Sequence, residues 1–133
     1  MAADRIAYEG LHQTFLEAFP EFTEPHKLEF DYWDDWKEPP GIYLVLGVVV
    51  FPRLVKLLDI GTNVHLVRRL FEFFERMATS DDRNVVDVLG LEVIQKLVHD
   101  PDRLRKAWPH MGVRTRDLTR ESAKALSVRL DVG

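Results

Sequence analysis

The sequence predicts an all-α fold: a single-domain bundle of five to six antiparallel-leaning helices that could stack in a solenoid-like manner. Apolar residues recur at spacings of three and four through most of the chain. Gly, Pro or Asp residues separate these stretches, and no paired alternating segments predict a β-hairpin. With 133 residues, 46% of them hydrophobic, the chain is expected to bury one core and to form one domain over residues 1–133.

The first predicted helix spans about three turns and ends at Pro20. Its buried face is formed by four apolar residues: Tyr8, Leu11, Phe15 and Phe19. From about residue 20 to residue 41 the periodicity is lost, prolines interrupt the chain, and acids alternate with aromatics. The sequence predicts an ordered acidic aromatic loop there, with at most one helical turn, ahead of a helical body at about residues 42–130.

The stretch at residues 42–59 is ambiguous. Its β-branched run at residues 48–50 favours a buried strand, whereas the helical spacing of its later leucines and its total length favour a helix. We expect a helix that bends near Pro52, because proline removes one backbone donor and crowds the preceding turn. The sequence does not distinguish helix from strand at residues 42–51.

The third predicted helix begins after an N-cap at Thr62 or Asn63 and runs to Ala78. Its core-facing stripe consists of Val64, Val67, Leu70, Phe71, Phe74 and Met77. Asp81 or Asp82 then caps a fourth helix. The apolar positions of that helix are Val85, Val88, Leu89, Val93, Ile94, Leu97 and Val98.

Two shorter helices complete the prediction. Asp100 as N-cap and Pro101 at the first helical position open a fifth helix that extends through Trp108. Gly112 then interrupts the chain, and a last helix is predicted at about residues 117–130. That helix is expected to bury Leu118, Ala123, Leu126 and Leu130.

Composition excludes several classes of protein. The chain has no cysteine, so it has no disulfide framework, thiolate zinc site or cysteine nucleophile, and a reducing cytoplasm is the expected compartment. The first nine residues carry both signs of charge and no signal-peptide core. The longest apolar run, the ten residues 42–51, is about half the length of a membrane span, so no membrane association is expected.

The net charge of −4 conceals a split along the chain. Residues 1–38 hold ten acids and three bases, a balance of −7, and the remaining residues hold twelve acids and fifteen bases, a balance of +3. The bases of the last third are Arg103, Arg105, Lys106, Arg114, Arg116, Arg120, Lys124 and Arg129. No nucleic-acid-binding motif accompanies this modest excess, and the acidic N-terminal region repels phosphate, so no nucleic-acid partner is expected.

No catalytic motif is recognisable, and the chain is expected to be no enzyme and to need neither cofactor nor metal. It contains no nucleophile-elbow turn and no glycine-rich phosphate loop. His65, His99, Asp100 and Asp117 could supply the ligands of a His-Asp type metal-dependent phosphohydrolase, which is the second alternative function. Asp100 is explained equally well as a helix cap, and His99 as a cation that complements a helix C-terminus.

The acidic aromatic loop provides the candidate binding residues. We predict partner contacts at Asp31, Tyr32, Trp33, Asp34, Asp35, Trp36 and Glu38. Trp and Tyr are enriched at interface centres, and surrounding acids attract a basic partner. The cluster lacks the spacing of a calcium loop. An equally weighted alternative is that the aromatics pack on the domain's own core while the acids keep the loop soluble.

Residues 73–82 (FFERMATSDD) and 85–89 (VVDVL) resemble a pattern of small all-helical bacterial proteins. The similarity continues through residues 94–97 and 111–115, covers roughly residues 40–120, and departs from the pattern at Gln95, where a glutamate is expected. These relatives are of unknown function or belong to the immunity-protein type of polymorphic toxin systems. The resemblance implies a single-domain protein without catalytic residues that inhibits a toxin by occlusion.

We therefore expect an immunity protein that binds and occludes a cognate toxin domain, in the cytoplasm and without catalysis. Its partner would be a protein with a basic surface, because the acidic N-terminal third would attract such a surface. The first alternative is a helical adaptor that holds a peptide in a groove between helices, using the exposed faces around Arg68, Arg69 and Arg76. The sequence does not indicate the oligomeric state.

Overall fold

The regular elements of the described chain are all helical. The computed structural model describes residues 6–22 and 41–130. Its six helices in these ranges are α1 (Leu11–Ala18), α2 (residues 42–60), α3 (Val64–Ala78), α4 (residues 83–98), α5 (Pro101–Ala107) and α6 (Val113–Ala125). Two 3-10 turns, Pro20–Phe22 and Trp108–His110, follow α1 and α5. The predicted all-α class is confirmed, and within the described ranges no helix is both long and apolar enough to span a bilayer.

Helix α2 resolves the ambiguous stretch in favour of a helix. It consists of an α-helical turn at Ile42–Leu44, a π-helical segment at Val45–Val50 and an α-helical segment at Phe51–Ile60. Proline at position 52 cannot donate to the carbonyl four residues before it. The wider π-helical segment ends at Val50, two residues before this proline, so the predicted disturbance takes the form of a change in helix type. The strand alternative for residues 42–51 is wrong.

Helix α4 contains a second π-helical segment. Arg83–Leu89 and Gln95–Val98 are α-helical, and Gly90–Ile94 between them is π-helical. This segment packs against the π-helical segment of α2, where Gly47 meets the Glu92 carboxylate. Glu92 forms an ion pair of 3.1 Å with Lys96, and a Cβ at position 47 would lie 2.3 Å from its Oε2 atom. The glycine therefore leaves room for the Glu92 carboxylate against α2.

Three predicted helix starts are confirmed. The Asn63 side chain accepts from the Leu66 backbone N–H at 3.4 Å, and the Asp82 side chain accepts from that of Asn84 at 3.0 Å. The Asp100 side chain accepts from the Arg103 N–H, with proline at the first helical position of α5. Side-chain caps are local interactions, which is why sequence spacing locates them well.

Helix α6 starts and ends earlier than predicted, at Val113 and Ala125 rather than at about residues 117 and 130. Its N-cap residue, Gly112, has no side chain that could accept a hydrogen bond from the first backbone N–H groups of the helix. The cap is supplied by Glu75 of α3, whose carboxylate accepts from the backbone N–H groups of Arg114 at 2.9 Å and Thr115 at 2.8 Å. The same carboxylate accepts from Thr115 Oγ1 at 2.7 Å. A capping residue 40 positions away is invisible to a search for local start signals.

The six helices share one hydrophobic core. Its largest fully buried side chains are Phe15, Phe22, Phe71, Phe74, Leu11, Leu46, Leu54, Leu70, Met77, Leu89, Ile94 and Leu97. Every predicted apolar position of α4 is buried, as is Ala123 of α6. Val64 was predicted to face the core and is 52% exposed, because it lies at the first position of α3 beyond the packed surface. Leu118, Leu126 and Leu130 are only partly buried.

The N-terminal segment is held against the turn between α3 and α4. The Tyr8 backbone N–H donates to Asp82 Oδ2 at 2.8 Å, and Ser80 Oγ donates to the Ile6 carbonyl at 2.6 Å. Phe15 of α1 then packs edge-on against Phe73 of α3, with ring centroids 5.3 Å apart. These contacts join the beginning of the chain to its middle, and they place Tyr8 beside the groove described below.

Candidate protein-binding groove

The residues predicted to contact a partner lie outside the described part of the chain. They are Asp31, Tyr32, Trp33, Asp34, Asp35, Trp36 and Glu38. Of the predicted acidic aromatic loop at residues 20–41, the structure describes the 3-10 turn Pro20–Phe22 and Gly41 alone. The assignment of these seven residues stays a prediction.

The candidate metal ligands have other roles in the structure. His65 is exposed in the first turn of α3, and His99 is exposed at the end of α4. Asp100 caps α5 and lies 2.5 Å from the Arg103 guanidinium, while Asp117 pairs with Arg120 at 3.1 Å. Within residues 6–22 and 41–130, no group of three or more His, Asp or Glu side chains could hold a metal ion. The predicted ligand set is thus not brought together.

Much of the C-terminal basic charge is used within the fold. Arg103 bridges Asp59 and Asp100, and Arg116 donates to the Trp108 carbonyl at 3.0 Å. The remaining basic residues of this region that pair with carboxylates are Arg105, Lys106, Arg114 and Arg120. These contacts neutralise most of the positive charge locally. The expectation of no nucleic-acid partner stays a prediction.

A groove of about 760 Å³ runs along α4 and α6 and is closed at one side by Tyr43 of α2. Its apolar lining comes from two helix faces and the turn after α6: Val86, Leu91, Ile94, Leu118 and Leu126. The lining positions 83, 86, 90 and 94 of α4 and 114, 118, 121 and 125 of α6 recur at spacings of three and four, so each helix presents one face to the groove. Leu91 is 47% exposed, so this side chain is accessible to a bound molecule.

The π-helical segment of α4 forms part of the groove wall. Gly90, Leu91 and Ile94 all belong to this segment and all line the groove. π-helical turns are rare and occur frequently at functional sites, because the extra residue changes the direction of neighbouring side chains. Ile94 is fully buried while Leu91 is half exposed, so the segment provides both the floor of the groove and an accessible apolar contact.

The rim of the groove carries both signs of charge. Arg83 and Asp87 lie on the α4 side, and Arg114 and Glu121 lie on the α6 side. Arg114 is 3.7 Å from the Glu121 carboxylate, and both side chains are more than two-fifths exposed. An exposed ion pair of this kind contributes little to stability. Arg114 and Glu121 can therefore pair with charged groups of a bound protein instead of with each other.

Tyr43 supplies a polar group at the edge of the groove. Its ring lies 6.3 Å from that of Tyr8, with the planes tilted by 58°. Burial raises the pKa of the Tyr43 hydroxyl, and the proximity of Tyr8, Asp87 and Glu92 raises it further. The phenol therefore stays protonated at neutral pH and can donate a hydrogen bond to a ligand. Tyrosines are enriched at protein interfaces because they combine apolar area with such a donor.

Ser122 adds an unsatisfied group to the wall formed by α6. Its Oγ atom is buried and, within the described residues, has no hydrogen-bond partner. Ser122 also lines the groove. Buried polar side chains normally have partners, so this hydroxyl is an exception in the wall of the groove.

The sequence analysis does not predict the groove, although one feature of the sequence is consistent with it. Leu91 is apolar but lies outside the predicted core stripe of its helix. Leu118 and Leu126 were assigned to the core because helical spacing does not distinguish a buried face from a groove wall. The sequence does not indicate that Tyr43 lies at the groove, because its position depends on how α2 packs beside α4.

The comparisons with known proteins concern most of the chain. A family model described as "Domain of unknown function (DUF7674)" matches residues 12–125. The matched range includes the groove-lining residues of α4 and α6. No curated protein and no solved structure matches the chain. The resemblance to toxin immunity proteins stays a prediction.

Proposed function

We propose that this chain, which belongs to the DUF7674 family, is an immunity protein that binds a cognate toxin domain and covers its active surface. The observation that carries the binding part of this proposal is the groove between α4 and α6, with its apolar lining and charged rim. The nature of the partner rests on the resemblance of residues 73–82 and 85–89 to immunity proteins. Such an inhibitor acts in the cytoplasm of the cell that produces the toxin, before the toxin can act there.

The groove has the anatomy of a protein interface. Fully buried interface centres are apolar, and their rims are polar and solvent-accessible. Leu91 and Leu118 would contact an apolar side chain of the toxin, and Tyr43 would donate to an acceptor beside it. Arg83, Asp87 and Glu121 would then select a partner with complementary charges, because mismatched charges at a rim are repelled.

The acidic aromatic segment would supply attraction and further anchors. Asp31, Asp34 and Asp35 would accelerate association with a basic toxin surface, and Trp33 and Trp36 would serve as anchors. Inhibition by occlusion requires tight binding and no bond making, so the proposal assigns no catalytic residue.

The decisive experiment uses the product of the gene adjacent to the one for this chain, tested first for toxicity when it is expressed alone. The two proteins are purified separately, and both affinity and residual toxin activity are measured. Leu91→Asp should weaken binding about 100-fold, because it places an unpaired charge at the interface centre. Leu91 is half exposed, so this variant should fold. Ile60→Asp is the matched control, since Ile60 is 67% exposed and lies outside the groove lining.

A combined Asp34→Lys and Asp35→Lys variant tests the acidic segment. It should lower the association rate constant and remove its dependence on salt, with little change in the dissociation rate constant. If Leu91→Asp binds and inhibits as the unaltered chain does, the groove is not the toxin-binding surface. If the unaltered chain binds without reducing toxin activity, the immunity function is wrong.

The groove also favours a second candidate function, a helical adaptor that holds a peptide. The exposed faces around Arg68, Arg69 and Arg76 suit this role less well than the sequence suggests. Arg69 pairs with Glu21 and lies over the Phe19 ring, and Arg76 lies over the Phe73 ring. An adaptor would instead hold its peptide in the groove. The unaltered chain would then bind a peptide without inhibiting a toxin, and Leu91→Asp would abolish the peptide binding.

A further inference from the structure

A second surface lies at the turn between α2 and α3, away from the groove. Ile60 at the end of α2 is 67% exposed, and Val64 at the start of α3 is 52% exposed. The residues between them are all exposed. Two exposed branched aliphatic side chains so close along the chain are costly in water, unlike scattered surface apolar residues.

A cleft of about 400 Å³ opens beside these residues. Its apolar lining consists of Phe22, Leu57, Ile60 and Leu66. Phe22 is almost fully buried and forms the floor, while Leu57 and Ile60 form the wall toward α2. A second cleft of about 230 Å³ shares Leu57 and Thr62 with the first, so the two flank a common apolar ridge.

The rim of the larger cleft is positively charged. Arg53 and Lys56 are exposed and three residues apart on α2, and both line the cleft. Within the described residues, neither forms an ion pair. Among the described residues, Glu21 at the same cleft pairs with Arg69 at 2.5 Å, and Asp59 of α2 pairs with Arg103 and Lys106. Two uncompensated cations thus stand beside an apolar cavity.

We propose that this cleft binds an acidic peptide segment of a partner protein, with one large apolar side chain inserted between Phe22, Leu57 and Leu66. Charge complementarity to Arg53 and Lys56 determines the acidic character, and the cavity determines the apolar anchor. Binding to an anionic bilayer is a separate outcome of the tests below. This surface belongs to helices other than α4 and α6, so the inference goes beyond the proposed function and does not depend on it.

Three synthetic peptides of twelve residues test the chemistry. The first has a central Trp flanked by Glu, the second has Lys in place of each Glu, and the third has Ser in place of Trp. Fluorescence anisotropy with the full chain should show that the first peptide binds at least tenfold more tightly than the other two. Its affinity should fall as salt rises, because the ion pairs at this rim are exposed. Equal binding of the acidic and basic peptides would overturn the proposal.

Variants locate the binding site. A combined Arg53→Glu and Lys56→Glu variant should weaken binding of the acidic peptide about tenfold, because attraction at two exposed positions becomes repulsion. Ile60→Ser should also weaken it. Lys124→Glu is the matched control on another surface and should leave the affinity unchanged. Circular dichroism confirms that each variant folds, and unchanged affinity in the double variant would overturn the proposal.

Other occupants of the cleft give distinct results. Binding of anionic phospholipid vesicles that Arg53→Glu and Lys56→Glu abolish would assign the surface to membranes instead. A dimer seen by sedimentation equilibrium and dissociated by Ile60→Ser would assign it to a second copy. Tighter peptide binding by the Asp34→Lys and Asp35→Lys variant would identify the chain's own acidic segment as the occupant. Each of these results would overturn the proposal of an acidic partner peptide.

Discussion

Glu75 caps α6 from another helix, and its removal should be one of the more destabilising changes on the polar surface. The carboxylate accepts three hydrogen bonds, from the backbone N–H groups of Arg114 and Thr115 and from Thr115 Oγ1. Glu75→Ala leaves the first turn of α6 without a side-chain cap, because its N-cap residue is Gly112. The chain should still fold, since Glu75 lies outside the hydrophobic core.

The expected cost follows from these contacts. Loss of a helix cap costs about 1 kcal/mol, and the loss of charge-assisted hydrogen bonds in a partly buried place adds about another 1 kcal/mol. We therefore expect Glu75→Ala to lower the free energy of unfolding by about 2 kcal/mol. For a chain of this length that corresponds to a decrease of about 8 °C in Tm. Glu75→Gln should cost about half as much, because the amide oxygen still accepts hydrogen bonds.

The effect should depend on pH. Partial burial acts to raise the pKa of Glu75, but the hydrogen bonds from Thr115 and Arg114 outweigh it and lower the pKa below its usual 4.5. A carboxyl whose pKa is lower in the folded state stabilises the fold above its unfolded pKa, and this contribution is lost as pH falls through the folded pKa. The difference in stability between the unaltered chain and Glu75→Gln should be largest at neutral pH and should shrink below about pH 4.5.

Urea unfolding followed by circular dichroism measures these differences. Glu72→Ala is the matched control, because Glu72 is exposed on the same helix and should change stability by less than about 0.5 kcal/mol. Gly112→Ala completes a double-mutant cycle, since a Cβ there would lie 2.5 Å from the Glu75 carboxylate and displace it. Gly112→Ala should be destabilising alone and nearly neutral when combined with Glu75→Ala. Equal stabilities for Glu75→Ala and Glu72→Ala, or additive effects in the cycle, would refute the capping role.

Three further predictions concern the packing of the helices. Asp82→Ala should cost about 2 kcal/mol in urea unfolding, because Asp82 both caps α4 and accepts from the Tyr8 N–H; a cost no larger than that of Glu72→Ala would contradict this. Gly47→Ala should raise Tm slightly, because the gain in helix propensity of about 1 kcal/mol exceeds the loss of the partly exposed Glu92–Lys96 pair; a fall in Tm would mean that the helices themselves must separate. Phe71→Ala should cost about 4 kcal/mol or prevent folding, as a fully buried ring is removed, and a loss below about 1 kcal/mol would argue against the described core.

Local signals explain how much of the fold was predictable. Asn63, Asp82 and Asp100 cap their own helices, and each helix start followed from residues within three positions of the cap. The start of α6 was misplaced by about four residues, because its cap comes from Glu75 across the fold. Periodicity located the core of α4 fully, yet it assigned Val64 to the core although that residue lies beyond the packed surface.

The candidate site was less accessible to sequence reasoning. Trp33 and Trp36 are predicted contact residues because aromatics and acids alternate around them in the sequence. The groove, in contrast, depends on the spacing between two helices. Leu118 has the same helical spacing whether it faces a core or a groove. Arg53 and Lys56 are unremarkable in the sequence, and their uncompensated charge is visible only once Glu21 and Asp59 are seen to have other partners.

The sequence by itself determined that this chain folds from helices around one core, because periodicity, caps and breakers are properties of residues close together along the chain. It also determined the absence of cysteine chemistry and the division of charge between residues 1–38 and the remainder. Only the tertiary structure decided the cap of α6, the two π-helical segments in contact at Gly47, and the two candidate binding surfaces. These features depend on distances between residues that are far apart in the chain, and helical periodicity carries no information about such distances.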